Sequence, residues 1–173
     1  MNKYKIKMGS QQHILRKILV ISFDDGYLKD IGEIITKKRL QSFEETGYIN
    51  YENKNNNLIF TLLSNQIKIR WYHHYAGAYG AIIINEGNEI NNNMNDLVNI
   101  LNSDIMQRLP LLFVYDKKKI FEKDNRYLEN LRYFLYNKKI IFNVIYIDFK
   151  VNKKNSELLY GLDWLYKQIM KIT

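Results

Sequence analysis

Apolar positions along the chain follow two alternating patterns, runs of strand length and stripes of helical period. "ILRKILVIS" (Ile14 to Ser22) reads as a first strand, and Leu28, Ile31, Ile34 and Ile35 then keep a helical stripe. "GYINYE" and "NLIFTLL" flank an asparagine-rich turn and read as a hairpin. "YGAIIINE" (Tyr79 to Glu86) and "PLLFVYD" (Pro110 to Asp116) are nearly all apolar, as strands covered on both faces must be. "KIIFNVIYIDF" (Lys139 to Phe149) is the last strand. Between them Leu97, Leu101 and Ile105 share one helical face, and Leu128, Leu131 and Leu135 share another. A final helix carries Leu158, Leu162, Leu165 and Ile169 behind an Asn155/Ser156 cap. This order predicts an α/β fold: a mostly parallel six-stranded sheet with one antiparallel edge strand and helices on both faces.

Composition bounds the picture without redrawing it. A chain of 173 residues fits one domain, and 46% hydrophobic residues are enough for a core. No cysteine is present, so disulfides and thiolate metal sites are excluded, in keeping with a reducing compartment. The opening "MNKYKIKMGSQQ" lacks the apolar core of a secretory signal, and no window reaches the length of a membrane span. The net charge of +8 invites a nucleic-acid or anionic-membrane reading. Its lysines are spread along the chain in twos and threes, which fits solvated faces better than a groove, so no nucleic-acid partner is expected. Runs such as "NKNNN" (Asn53 to Asn57) and "INNNMN" (Ile90 to Asn95) read as loop drift.

Four blocks carry a resemblance. They are "LLYGLDWLYKQI" (Leu158 to Ile169), "TGYINYENKNNNLIFTL" (Thr46 to Leu62), "IRWYHHYAGAYGAIIINE" (Ile69 to Glu86) and "LLFVYDKKK" (Leu111 to Lys119). In order and spacing they are similar to the closing helix, interswitch hairpin, switch II helix with its following strand, and guanine-recognition strand of the ADP-ribosylation factor (Arf) family of small GTPases. The resemblance implies a G domain over 14–173 behind a basic N-terminal extension of residues 1–13. It also implies a site for GTP or GDP with Mg²⁺.

The residues that should serve such a site have changed. A phosphate loop reads GxxxxGK[ST], its backbone amides and lysine holding phosphate and its hydroxyl holding Mg²⁺. Here Ser22 stands at the first glycine, and in a loop one residue short Gly26 takes the second. Tyr27 then replaces the lysine and Leu28 the metal ligand; without the gap, Tyr27 replaces the glycine and Leu28 the lysine. Asp24 matches an aspartate of the family, and Asp25 adds a second negative charge facing a polyphosphate. Glu45 falls where switch I offers a threonine, with Thr46 one place late. "LSNQIKIRW" (Leu63 to Trp71) lacks the Asp and Gly of DxxGQ, leaving Gln66 as a weak candidate for orienting water. The guanine motif NKxD reads Asp116-Lys117-Lys118-Lys119, so Lys119 puts a donor where the base needs an acceptor. "DFKVNKKN" (Asp148 to Asn155) has lost the loop that backs the base.

Charge-assisted hydrogen bonds contribute roughly 1.5–3 kcal/mol each, so losing about four removes about 6–12 kcal/mol. A nanomolar ancestor, near about −12 kcal/mol, would be left at tens of micromolar at best. The sequence therefore reads as an Arf-like pseudo-GTPase expected to need no cofactor, its surface fixed rather than switched. The resemblance places a protein partner on the interswitch and switch II face, with Gly47, Tyr48, Leu63, Trp71 and His74 as interface candidates. It implies a role related to membrane traffic. Two alternatives follow: an active, divergent GTPase that binds and hydrolyses GTP with Mg²⁺, or a basic domain that binds RNA or anionic lipid.

Other constellations carry less. His73-His74 lacks an acidic partner at helical spacing and reads as packing rather than metal binding. Of Asp24, Asp25 and Asp30, a carboxylate is explained as favourable charge at a helix N-terminus. Tyr127, Tyr133 and Tyr136 read as aromatic core and rim. Asn2 stands where a myristoylated glycine belongs, and a start at Met8 exposes Gly9 but puts His13 where the motif wants a hydroxyl. The expectation is a cytoplasmic monomer with at most weak, electrostatic membrane contact.

Overall fold

The computed structural model describes residues 15–37, 39–40, 47–53, 57–85, 90–120, 126–149 and 156–172. Six strands form one sheet: β1 (Arg16–Ser22), β2 (Tyr48–Asn53), β3 (Leu58–Leu63), β4 (Ala78–Asn85), β5 (Leu111–Asp116) and β6 (Phe142–Ile147). Their order is β2-β3-β1-β4-β5-β6. Every neighbouring pair is parallel except β2 with β3. The central strand β1 sets Val20 opposite Leu62 on one side and Ile82 on the other. All three are fully buried, which is why β1, β3 and β4 read as apolar runs.

Alternation along each strand divides the core into two layers. Leu19, Ile21, Ile83 and Phe113 face α2 (Ile90–Leu101), α4 (Arg126–Asn137) and a 3-10 helix, Asn65–His74. Ile18, Val20, Ile82 and Val114 face α1 (Asp25–Thr36) and α5 (Ser156–Ile172). A single turn, α3 (Lys117–Ile120), follows β5. The doubly covered, mostly parallel sheet expected from the sequence is the fold found.

Gly161 sets how closely α5 lies on the sheet. A Cβ at this position would stand 2.9 Å from Ile145 and 3.1 Å from Leu112, both at their side-chain tips.

Several boundaries differ from expectation. The last strand starts at Phe142 rather than Lys139, because Lys139 takes a left-handed φ of 56° and closes the end of α4. There the amides of Lys138, Lys139 and Ile140 donate to carbonyls of Phe134, Tyr136 and Leu135, satisfying the last turn. Ile105 does not share a helical face with Leu97 and Leu101: α2 stops at Leu101, and Ile105 is 41% exposed beyond it. Ile34, Ile35 and Leu162 are only half-buried. The expected cap residue Asn155, the extension 1–13 and the switch I positions Glu45 and Thr46 lie outside the described residues.

Candidate functional site

In an open parallel sheet, a ligand crevice forms beyond the carboxyl ends of the strands where the order reverses. Here that place is the end of β1, between β3 and β4, with the end of β5 beside it. Only Phe23 and Asp24 separate β1 from α1. The Ser22 hydroxyl, fully buried, donates to the Asp24 carbonyl at 2.8 Å and accepts from the Asp24 amide at 3.1 Å, folding the connection tightly. Asp24 is the N-cap of α1: its carboxylate accepts from the amides of Gly26 (2.6 Å) and Tyr27 (3.2 Å). Gly26 makes room for this, since a Cβ there would stand 2.8 Å from Asp24 Oδ1. The amides that a helix N-terminus offers to phosphate are therefore taken by a carboxylate of the chain itself.

Asp25 turns away from its own helix. Its Oδ2 accepts from the Ser64 hydroxyl at 2.8 Å and its Oδ1 from the Asn65 amide at 2.7 Å, tying α1 to the segment after β3. Ser64 is fully buried, and the indole N–H of Trp71 donates to its carbonyl at 2.9 Å.

Tyr27 bridges toward β5. Its hydroxyl donates to Asp116 Oδ2 at 2.8 Å, and its ring meets the edge of Phe149 at a centroid distance of 4.3 Å. The Lys119 ammonium lies 4.9 Å from the Tyr27 ring centre. Burial pushes the Tyr27 hydroxyl above its ordinary pKa; Lys119 opposes the shift and Asp116 adds to it. Asp116, nearly buried, also accepts the Lys118 amide at 3.0 Å, while the Lys118 ammonium pairs with Asp148 at 3.1 Å. Lys117 points outward and is exposed. Leu28, where the family has a metal-binding hydroxyl, is core.

These residues fit a guanine nucleotide with Mg²⁺ poorly. A polyphosphate at the start of α1 meets Asp24 and Asp25 rather than open amides, and Tyr27 with Phe149 fills space between α1 and the end of β5. No cluster of three or more His, Asp or Glu side chains suited to a metal occurs among the described residues. Gln66 is exposed, and its backbone amide donates to Ser64 Oγ at 3.1 Å.

Of the interface candidates, the structure keeps two at the surface. Tyr48 is 36% exposed and stacks against the half-buried His74 at 4.8 Å. Leu63 and Trp71 are buried instead, Trp71 against Phe23, so their side chains serve the core. Gly47 is buried in a left-handed conformation, φ 69°, with the Ile67 side chain where a Cβ would project. Beside Tyr48, the sequence reading missed Ile69 (86% exposed) and Tyr72 (60% exposed), the latter stacked on exposed His73. Tyr127 is half-buried and accepts from Asn85, whereas Tyr133 and Tyr136 are exposed. Ser64, Asn65 and Phe149 were also missed, since their partners lie far away in sequence.

No family model matches the chain, and no curated protein matches it in sequence. Among solved structures it is similar to an ADP-ribosylation factor-like GTP-binding protein, the small COPII coat GTPase SAR1 from Encephalitozoon cuniculi, in complex with GDP. The TM-score is 0.55 at 13% identity, covering 91% of this chain and 81% of that one. With the sheet described above, this gives the chain the small-GTPase α/β fold.

Proposed function

We propose that this chain is an Arf-like pseudo-GTPase, a nucleotide-independent protein-binding module related to membrane traffic. The observation that carries the reading is that residues at the cleft bond within the chain: Asp24 caps the first-turn amides of α1, and Tyr27 reaches across to Asp116 against Phe149. In the resemblance these are the positions of phosphate loop and base site, and here they bond to one another. The partner face is built on Tyr48, which lies against His74, together with the exposed Ile69 and Tyr72 of the segment after β3. Its aromatic members are the kind that anchor interfaces. The setting is cytoplasmic, with at most peripheral membrane contact.

A fluorescent guanine nucleotide titrated with Mg²⁺ tests the proposal. The expected result is no saturable signal below millimolar nucleotide. Saturation at about 1 μM, near −8 kcal/mol, would mean a working nucleotide site and overturn it.

A further inference from the structure

We infer that Asp25 is a built-in anion latch that holds the segment Asn65–His74, and with it the partner face, in one conformation. The inference rests on the function proposed above and concerns how its surface is kept fixed.

The first-turn acid of a helix usually serves that helix's own dipole. Asp25 instead spends both carboxylate oxygens on residues 39 and 40 positions away, one on the Ser64 hydroxyl and one on the Asn65 amide. Such bonds to an ionised acceptor are the stronger kind. They meet the chain at Ser64, a residue with several bonds of its own. The Ser64 amide donates to the Gly47 carbonyl at 2.9 Å, fixing the start of β2. Its Oγ accepts the Gln66 amide at 3.1 Å, and its carbonyl accepts the Ile67 amide at 3.2 Å and the Trp71 indole at 2.9 Å. A displacement of Ser64 therefore disturbs Gly47, Ile67 and Trp71 together.

The held segment has little stability of its own. It is 3-10 in geometry, with a break at Ile67 (φ −105°, ψ 19°), and long 3-10 runs are uncommon. Ile67 and Trp71 are its buried residues, while Ile69, Tyr72 and His73 face outward. Where a nucleotide switch draws its corresponding segment in with a ligand's phosphate, a carboxylate of the chain itself stays at hand without any ligand. The face built on Tyr48, Ile69, Tyr72 and His74 is then always presented.

Hydrogen exchange on the full chain tests this, comparing wild type with Asp25→Ala, Ser64→Ala and the double variant. Losing hydrogen bonds to a charged group predicts exchange over 65–74 faster by about tenfold to a hundredfold in Asp25→Ala. Amides of β4 and α5 should keep their wild-type rates. Ser64→Ala removes little volume and loses both the bond to Asp25 and the cap on the Gln66 amide, so it should speed exchange over the same segment. The double variant should be accelerated by less than the product of the two single effects, because the Asp25–Ser64 bond is lost only once. Unchanged exchange over 65–74 in Asp25→Ala overturns the latch, as does an acceleration shared equally by β4 and α5. A separate arm adds GTP and Mg²⁺ to wild type: a change in its exchange counts against the proposed function, whatever the Asp25 variants do.

Discussion

Tyr27 ties the start of α1 to the end of β5. It sits where the resemblance puts a phosphate-binding lysine, yet its hydroxyl is bonded to Asp116, 89 residues along the chain. Tyr27→Phe removes that bond and leaves the packing on Phe149 in place, so it should lower stability by about 1–2 kcal/mol in urea unfolding. Unchanged stability would mean the hydroxyl does not bridge. His74 makes a second prediction. Burial lowers its pKa from 6.5, with Lys17 and His73 adding to the effect, so the folded protein disfavours the proton that the unfolded chain accepts. Stability is therefore retained above about pH 6.5 and lost as pH falls through that value toward the folded pKa. His74→Gln should flatten the decline in melting temperature between neutral pH and mild acid. Residues such as Tyr27 were legible as departures from a motif. Their new partners were not, because a substitution says what a position no longer does and not which distant group it meets.

Among the elements, α5 packs closely on the sheet. Gly161 lets it lie against Leu112 and Ile145 with no room for a side chain. Gly161→Val should overpack this contact at a cost of about 1–3 kcal/mol, seen as a melting temperature several degrees lower. An unchanged melting temperature would show that α5 can shift outward freely. The element order was readable from apolar period alone, since buried parallel strands and striped helices each leave a distinct pattern. The 3-10 segment was not: its sequence carries apolar Ile67, Ile69 and Trp71, but only Ile67 and Trp71 turn inward. Tertiary bonds through Ser64 decide that outcome. The start of the last strand differs for a local reason, the left-handed turn at Lys139, which no hydrophobic pattern records.

Taken whole, the molecule keeps a sheet order whose crevice opens at the end of β1, and lines that crevice with groups that bond to each other. The mostly parallel sheet with one antiparallel edge strand was legible from the alternation of apolar runs and helical stripes. The bonding within the crevice was legible only as a loss of motif residues, since the contacts between α1, the segment after β3 and the end of β5 exist only once the chain is folded. A chain that works without nucleotide should purify without one. Denaturing the purified protein and assaying the supernatant for guanine nucleotide, alongside melting curves with GDP or GTP and Mg²⁺, tests it most directly. The account predicts an empty supernatant and a melting temperature indifferent to millimolar nucleotide. Stoichiometric GDP or GTP, or a rise of several degrees at micromolar nucleotide, would contradict it.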